Sequence, residues 1–158
     1  NVKAQDDHGR TPLHLAKTIE NAKALLKGGA NPMAKAKDGW TPLHLAADAG
    51  CLTDKNGFFI KAYIQSGADV MARTGSGHTP FHYSAENGNL EQIKFLLAAG
   101  ADVESKNLFE RTPLGLAENN KKTHPIIYDL FFAERDKEIE KQIKRMIVNI
   151  NDERKAKK

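Results

Sequence analysis

The chain has 158 residues, 40% of them hydrophobic and 28% charged, which fits one domain and excludes wholesale disorder. No run approaches the roughly 18 consecutive apolar residues of a membrane span, and the chain opens at Asn1 with neither a Met nor a basic-then-apolar leader, as a fragment or processed product would. The net charge of +4 lies wholly in residues 121–158, with 11 Lys/Arg and 7 Asp/Glu, whereas residues 1–120 hold 13 of each, so the main body is not a general polyanion binder.

In chain order, the first ordered unit opens at Thr11-Pro12-Leu13-His14. Thr suits a helix N-cap and Pro the first helical position. Leu13, Leu15 and Ala16 are then expected to begin a short helix, and Gly29-Ala30-Asn31-Pro32 closes the unit. A second unit opens at Thr41-Pro42-Leu43-His44, continues through Leu45, Ala46 and Ala47, and closes at Gly67-Ala68-Asp69-Val70. A third opens at Thr79-Pro80-Phe81-His82 and closes at Gly100-Ala101-Asp102-Val103. Its second helix carries Leu90, Ile93, Leu96 and Leu97 at helical spacing. Gly50 and Gly88 suit the left-handed end of a first helix. A fourth unit opens at Thr112-Pro113-Leu114-Gly115, with Gly where the others have His, and has no closing Gly-Ala-Asp. Its second helix is expected from Pro125 through Phe132, with an unusually aromatic outer side that something should cover.

The four openings lie 30, 38 and 33 residues apart, and each Gly-Ala-Asp/Asn precedes the next Thr-Pro by 12 residues. The connectors are therefore constant, and length varies inside the helical part. Unit one is shortened after Lys17-Thr18; unit two is lengthened across Cys51–Gly57, either a neutral loop or part of a binding face. The connectors read as loops or β-hairpin fingers, with Asp38-Gly39 the clearest turn pair. From Glu134 to Lys158 a charged segment carries an apolar stripe of Ile139, Ile143, Met146 or Ile147, and Ile150. A helix capping the last unit is the first reading. A partner-binding or self-associating helix, or a basic helix for a membrane surface or nucleic acid, are the alternatives.

Motifs for chemistry are absent. There is no Cys-x-x-Cys, His-Glu-x-x-His, EF-hand loop, phosphate loop or Gly-x-Ser-x-Gly elbow. His8, His78 and His124 have no ligand-spaced partner, and rungs one repeat apart are too distant to share a metal. Cys51 is the only cysteine, which fits a reducing compartment and an inert thiol. No enzyme activity, metal or cofactor is expected.

Four Thr-Pro-Leu-His-like openings in register with three Gly-Ala-Asp/Asn closings resemble the ankyrin repeat, whose period is 33 residues. The resemblance covers roughly residues 5–133. It implies an all-α solenoid of helix-turn-helix units with fingers: an array over 1–133, divided near 5–34, 35–72, 73–105 and 106–133, and a charged C-terminal helix or tail over 134–158. Within it, Thr11, His14, Thr41, His44, Thr79, His82 and Thr112 take structural roles around the Thr-Pro turns. Terminal repeats are expected to be atypical.

The resemblance also implies an intracellular, cytoplasmic protein-interaction module that binds another protein on a concave face of finger tips and first helices, as a scaffold, an adaptor, or a piece of a larger regulatory or host-directed protein. Mapping repeat positions onto that face gives Asp7, His8 and Arg10; Lys35, Lys37, Asp38 and Trp40; Arg73, Ser76 and His78; and Lys106, Leu108, Phe109 and Arg111 on the fingers. Asp48, Glu86 and Asn119 take the helix positions. Trp40, the only Trp, is the first candidate for a hot spot, with packing on a neighbouring finger's aliphatic stem as the alternative. Leu108 and Phe109 either bind a partner or pack on the C-terminal segment. Lys35, Lys37, Arg73 and Lys106 could form a basic ladder for an acidic partner. An alternative is a small anionic or nucleotide ligand, or an oligonucleotide held by Trp40 and the finger cations.

Overall fold

The computed structural model describes residues 1–48, 56–118, 125, 127–133 and 136–137. Helices α1 (Ile19–Lys27), α2 (Pro42–Ala47), α3 (Phe58–Gln65), α4 (Pro80–Glu86), α5 (Leu90–Ala98) and α6 (Pro113–Ala117) follow one another, with residues 127–133 helical beyond them. No strand occurs among the described residues. The architecture is an all-α solenoid.

Helices of five to nine residues are too short to stand alone in water, so packing must hold them. They form two rows. In one, α2 packs on α4 and α4 on α6; in the other, α1 packs on α3 and α3 on α5. Cross-contacts α2–α3 and α4–α5 join the rows within each unit. The residue after each of the first three Thr-Pro pairs, Leu13, Leu43 or Phe81, is wholly buried, and Leu114 after the fourth is half-buried. Ala22, Ile60 and Ile93 fill the second row, and Ala46, Ala47 and Ala85 let the helices approach closely. Phe131 stacks on Phe81 with ring centres 5.0 Å apart, so it and Ile127 face inward. Tyr128 stays exposed on the outer side, its ring 4.3 Å from that of Phe132.

One sequence expectation needs correction. The first unit has no helix after Thr11-Pro12: residues 12–15 form a turn, held by His14 N–H to the Thr11 carbonyl (3.0 Å) and Leu15 N–H to the Pro12 carbonyl (3.2 Å). With three residues missing, Thr18 already caps α1 by accepting from Asn21 N–H, and no room remains for another helical turn. Of the two readings of the fingers, loops or β-hairpins, the described residues show tight turns without strands. Gly50, most of the 51–57 segment, Asn119, His124 and nearly all of 134–158 lie outside the described residues.

Each finger closes the same way. Finger 1 (residues 6–10), finger 2 (36–40), finger 3 (74–78) and finger 4 (107–111) each join their first N–H to their last carbonyl, at 3.0, 2.7, 3.0 and 3.0 Å. The fingers are stitched in series: Lys37 N–H donates to His8 O, Gly75 N–H to Asp38 O, and Leu108 N–H to Ser76 O. Gly9, Gly39 and Gly77 stand at the fourth finger position with positive φ. A Cβ there would lie 3.2 Å from Lys37 N, 3.0 Å from Arg73 O and 2.9 Å from Leu108 N. Two constraints therefore coincide, a left-handed backbone and the next finger's backbone pressed against it. Glu110 occupies this position in finger 4 at φ 59°, and no finger stacks beyond it among the described residues.

Candidate functional site

The Thr-Pro-x-His segments build the floor of the finger face. In each of the three, the His Nδ1 accepts from the Thr N–H three residues earlier, at 3.0 Å for His14, 3.2 Å for His44 and 3.1 Å for His82. The Thr hydroxyl lies within 2.9 Å of the same nitrogen. The opposite nitrogen, Nε2, lies 3.1 Å from a carbonyl of the following finger: Trp40 O, His78 O and Arg111 O in turn. A carbonyl only accepts, so Nε2 carries the proton and the rings are neutral. Burial pushes all three below the ordinary histidine value, His44 and His82 to about 4. The histidines thus join consecutive fingers. Thr112 still caps α6 through Gly115 N–H, but Gly115 supplies no ring to continue the ladder.

Above this floor lies a row of aromatic rings. Trp40 meets Tyr83 in a tilted contact with centroids 4.7 Å apart, and Tyr83 lies 5.3 Å from His78. His78 in turn lies 6.4 Å from Phe109. Trp40, Tyr83 and His78 are half-buried, while Leu108 and Phe109 are 73% and 67% exposed. Trp40 thus lies beside a ring of the next unit's helix and shares a crevice with Arg10 and Lys37. A crevice between fingers 1 and 2 is lined by His8, Arg10, Lys37, Asp38, Trp40 and Leu45. Asp48 and Glu86 bear electrostatically on Tyr83, whose hydroxyl is raised above its usual value mainly by burial.

The cations divide into two groups. Arg10 is held by Asp6 (2.8 Å), and its hydrogen bond keeps the Asp6 carboxyl down at about 2. Arg73 donates to Gly77 O (2.9 Å), Lys106 O (2.7 Å) and Ser105 Oγ (2.8 Å). Lys106 pairs with Glu110 at 2.8 Å. Lys35, Lys37 and Arg111 are exposed or nearly so, with no side-chain partner among the described residues. A continuous basic ladder is thus broken: two of its four members, Arg73 and Lys106, are engaged within the fold.

Asp7, His8, Asp38 and Glu86 are exposed, and Asp48 ends α2 half-buried. Ser76 lies 2.9 Å from His78 Nδ1. Sequence reasoning missed Tyr83 and Asn107. Tyr83 stands where units one and two carry Leu15 and Leu45, so a ring at that register was the available signal. Asn107 heads finger 4 as Asp6 heads finger 1; its Oδ1 accepts Phe109 N–H (2.9 Å) and Arg111 N–H (3.0 Å). Among the described residues no helix is long and apolar enough to cross a membrane, and no group of three or more His, Cys, Asp or Glu could hold a metal ion.

A family model for ankyrin repeats (3 copies) matches residues 1–55 and 51–141. NF-kappa-B inhibitor alpha of Rattus norvegicus and of Mus musculus are each 50% identical to the chain over 52 residues, 30% of this chain and 16% of the relative. The Sus scrofa protein of the same name is 47% identical over 51 residues, with the same coverage. The matched part is thus about one sixth of the length of these relatives.

Proposed function

We propose, for a chain that belongs to the ankyrin-repeat family and is a protein-interaction module, that its partner docks on the row Trp40–Tyr83–His78–Phe109 with Leu108 at its end. The array over residues 1–133 does the binding without catalysis, and the segment 134–158 is a separate charged tail. The observation that carries this reading is the exposure of Leu108 and Phe109 on a finger whose five backbone N–H groups are all hydrogen-bonded. Large apolar side chains on a rigid turn lose little freedom when covered, which favours binding. Trp and Tyr are also the side chains most enriched among interface hot spots. The relatives' name describes inhibition of NF-kappa-B, and that activity is not carried over to this chain, which matches only 16% of their length.

Phe109→Ala combined with Leu108→Ala is expected to weaken partner binding at least tenfold while leaving the melting temperature within a few degrees. A large fall in melting temperature would instead make these residues structural. A nucleotide or oligonucleotide ligand draws less support, because Arg10, Arg73 and Lys106 are already engaged. For the protein-docking reading, log K against log salt should be shallow; a slope of several units would favour the anionic ligand.

A further inference from the structure

His78 is wired oppositely to the three ladder histidines. Asn107 Oδ1 already accepts two backbone N–H groups, so the orientation of its amide is fixed. Its Nδ2, which can only donate, therefore faces His78 Nε2 at 2.9 Å. That nitrogen must be bare, and the ring proton sits on Nδ1, beside Ser76 Oγ. His44 Nε2–H holds the His78 carbonyl from the other side. The ring also lies against Phe109 of the exposed finger tip. A proton arriving on Nε2 would set donor against donor at this distance. Either Asn107 turns and gives up its bonds to Phe109 and Arg111, or the ring swings away from Asn107.

We propose that His78 is an acid-sensitive latch: neutral, it helps hold finger 4 against finger 3 through Asn107, beside the Leu108 N–H to Ser76 O bond, and a proton on Nε2 loosens the finger tip that carries Leu108 and Phe109. The latch regulates the docking row and rests on that reading of it. Several charged and titratable groups bear on the ring. Glu86 on α4 favours its cation; Arg111 on finger 4 opposes it. His82 and Tyr83 on α4 lie 5.3 Å away, and Arg73 of the same connector acts on His82. Burial is the largest influence and disfavours the charged ring, so the latch stays closed at neutral pH.

Imidazole and amide NMR on the full chain, from about pH 7.5 down to about pH 5, tests this without any partner. The expected result is His78 protonated on Nδ1 at neutral pH while His14, His44 and His82 are protonated on Nε2. His78 should then titrate below the usual histidine value, with the Phe109 and Arg111 amides shifting at the same midpoint and losing about tenfold in protection against exchange, measured relative to the intrinsic rate at each pH. His78→Gln should abolish that transition. Asn107→Asp should move it above the usual value, because a carboxylate keeps both backbone bonds and accepts a proton from Nε2. Three results would overturn the latch: Nε2 protonated at neutral pH, finger amides that ignore the titration, or an unmoved midpoint in Asn107→Asp. The first two are read on the wild type, so they decide even if a variant fails to fold. Failure here leaves the docking row untouched, since that is read by Leu108 and Phe109 substitutions against a partner.

Discussion

A buried histidine that accepts on one nitrogen and donates on the other has no place for a second ring proton. His14, His44 and His82 are all in this state, between a Thr N–H and the next finger's carbonyl. Their folded pKa lies below the unfolded value near 6.5, so below that pH the unfolded chain binds protons that the folded chain refuses. The stability they confer is complete above about pH 6.5 and is lost as pH falls from there toward 4. By pH 5, His44 and His82 should each cost about 1–2 kcal/mol relative to neutral pH. Urea midpoints measured at successive pH values check this. His44→Gln should flatten part of the slope, and an unchanged slope would remove His44 from the account. The Thr-Pro-Leu-His repeats made these three residues legible in the sequence, because the same spacing occurs three times. Tyr83 and Asn107 were harder to see, since their roles depend on a ring and an imidazole brought from fingers 43 and 29 residues away, Trp40 and His78.

At the scale of the finger and helix, the fourth finger position explains a difference that the sequence shows but does not account for. Gly9, Gly39 and Gly77 each lie against the next finger, and Glu110 has none against it among the described residues. Gly77→Ala should therefore cost about 2 kcal/mol or more, from the left-handed backbone and the Cβ pressed on Leu108 N. Glu110→Gly should stay within about 1 kcal/mol of wild type, because relief of backbone strain offsets a weak exposed ion pair. Thermal unfolding of the two variants is the check; equal costs would mean that finger stacking does not restrict this position. Between helices, buried Gln92 donates to Ala46 O (2.9 Å) and accepts from Ser84 Oγ (3.0 Å). Gln92→Leu orphans both partners and should cost about 1–3 kcal/mol, read by denaturant unfolding. Helix period and glycine spacing revealed these helices, but not the loss of the first one. That loss follows from a three-residue deletion, whose outcome depends on where the next cap, Thr18, falls.

The whole molecule is a chain of neighbour contacts: helix row on helix row, finger stitched to finger, and one histidine bond between fingers at each of three steps. Such an array passes rigidity from unit to unit and leaves one long face for recognition. Repeat spacing revealed the array at once. The face was only half legible, because the finger cations looked like a ladder until Arg73 and Lys106 were seen bound to their own scaffold. Among exposed Lys35, Lys37 and Arg111, the finger face also presents the apolar pair Leu108 and Phe109 at the end of the half-buried aromatic row, and it is this row that is proposed to hold a protein. The direct measurement is the affinity of wild type and of the Leu108→Ala/Phe109→Ala variant for the same isolated partner, with melting temperatures taken alongside. A row that holds the partner predicts at least a tenfold loss of affinity at nearly unchanged melting temperature. Equal affinity in a folded variant would contradict it.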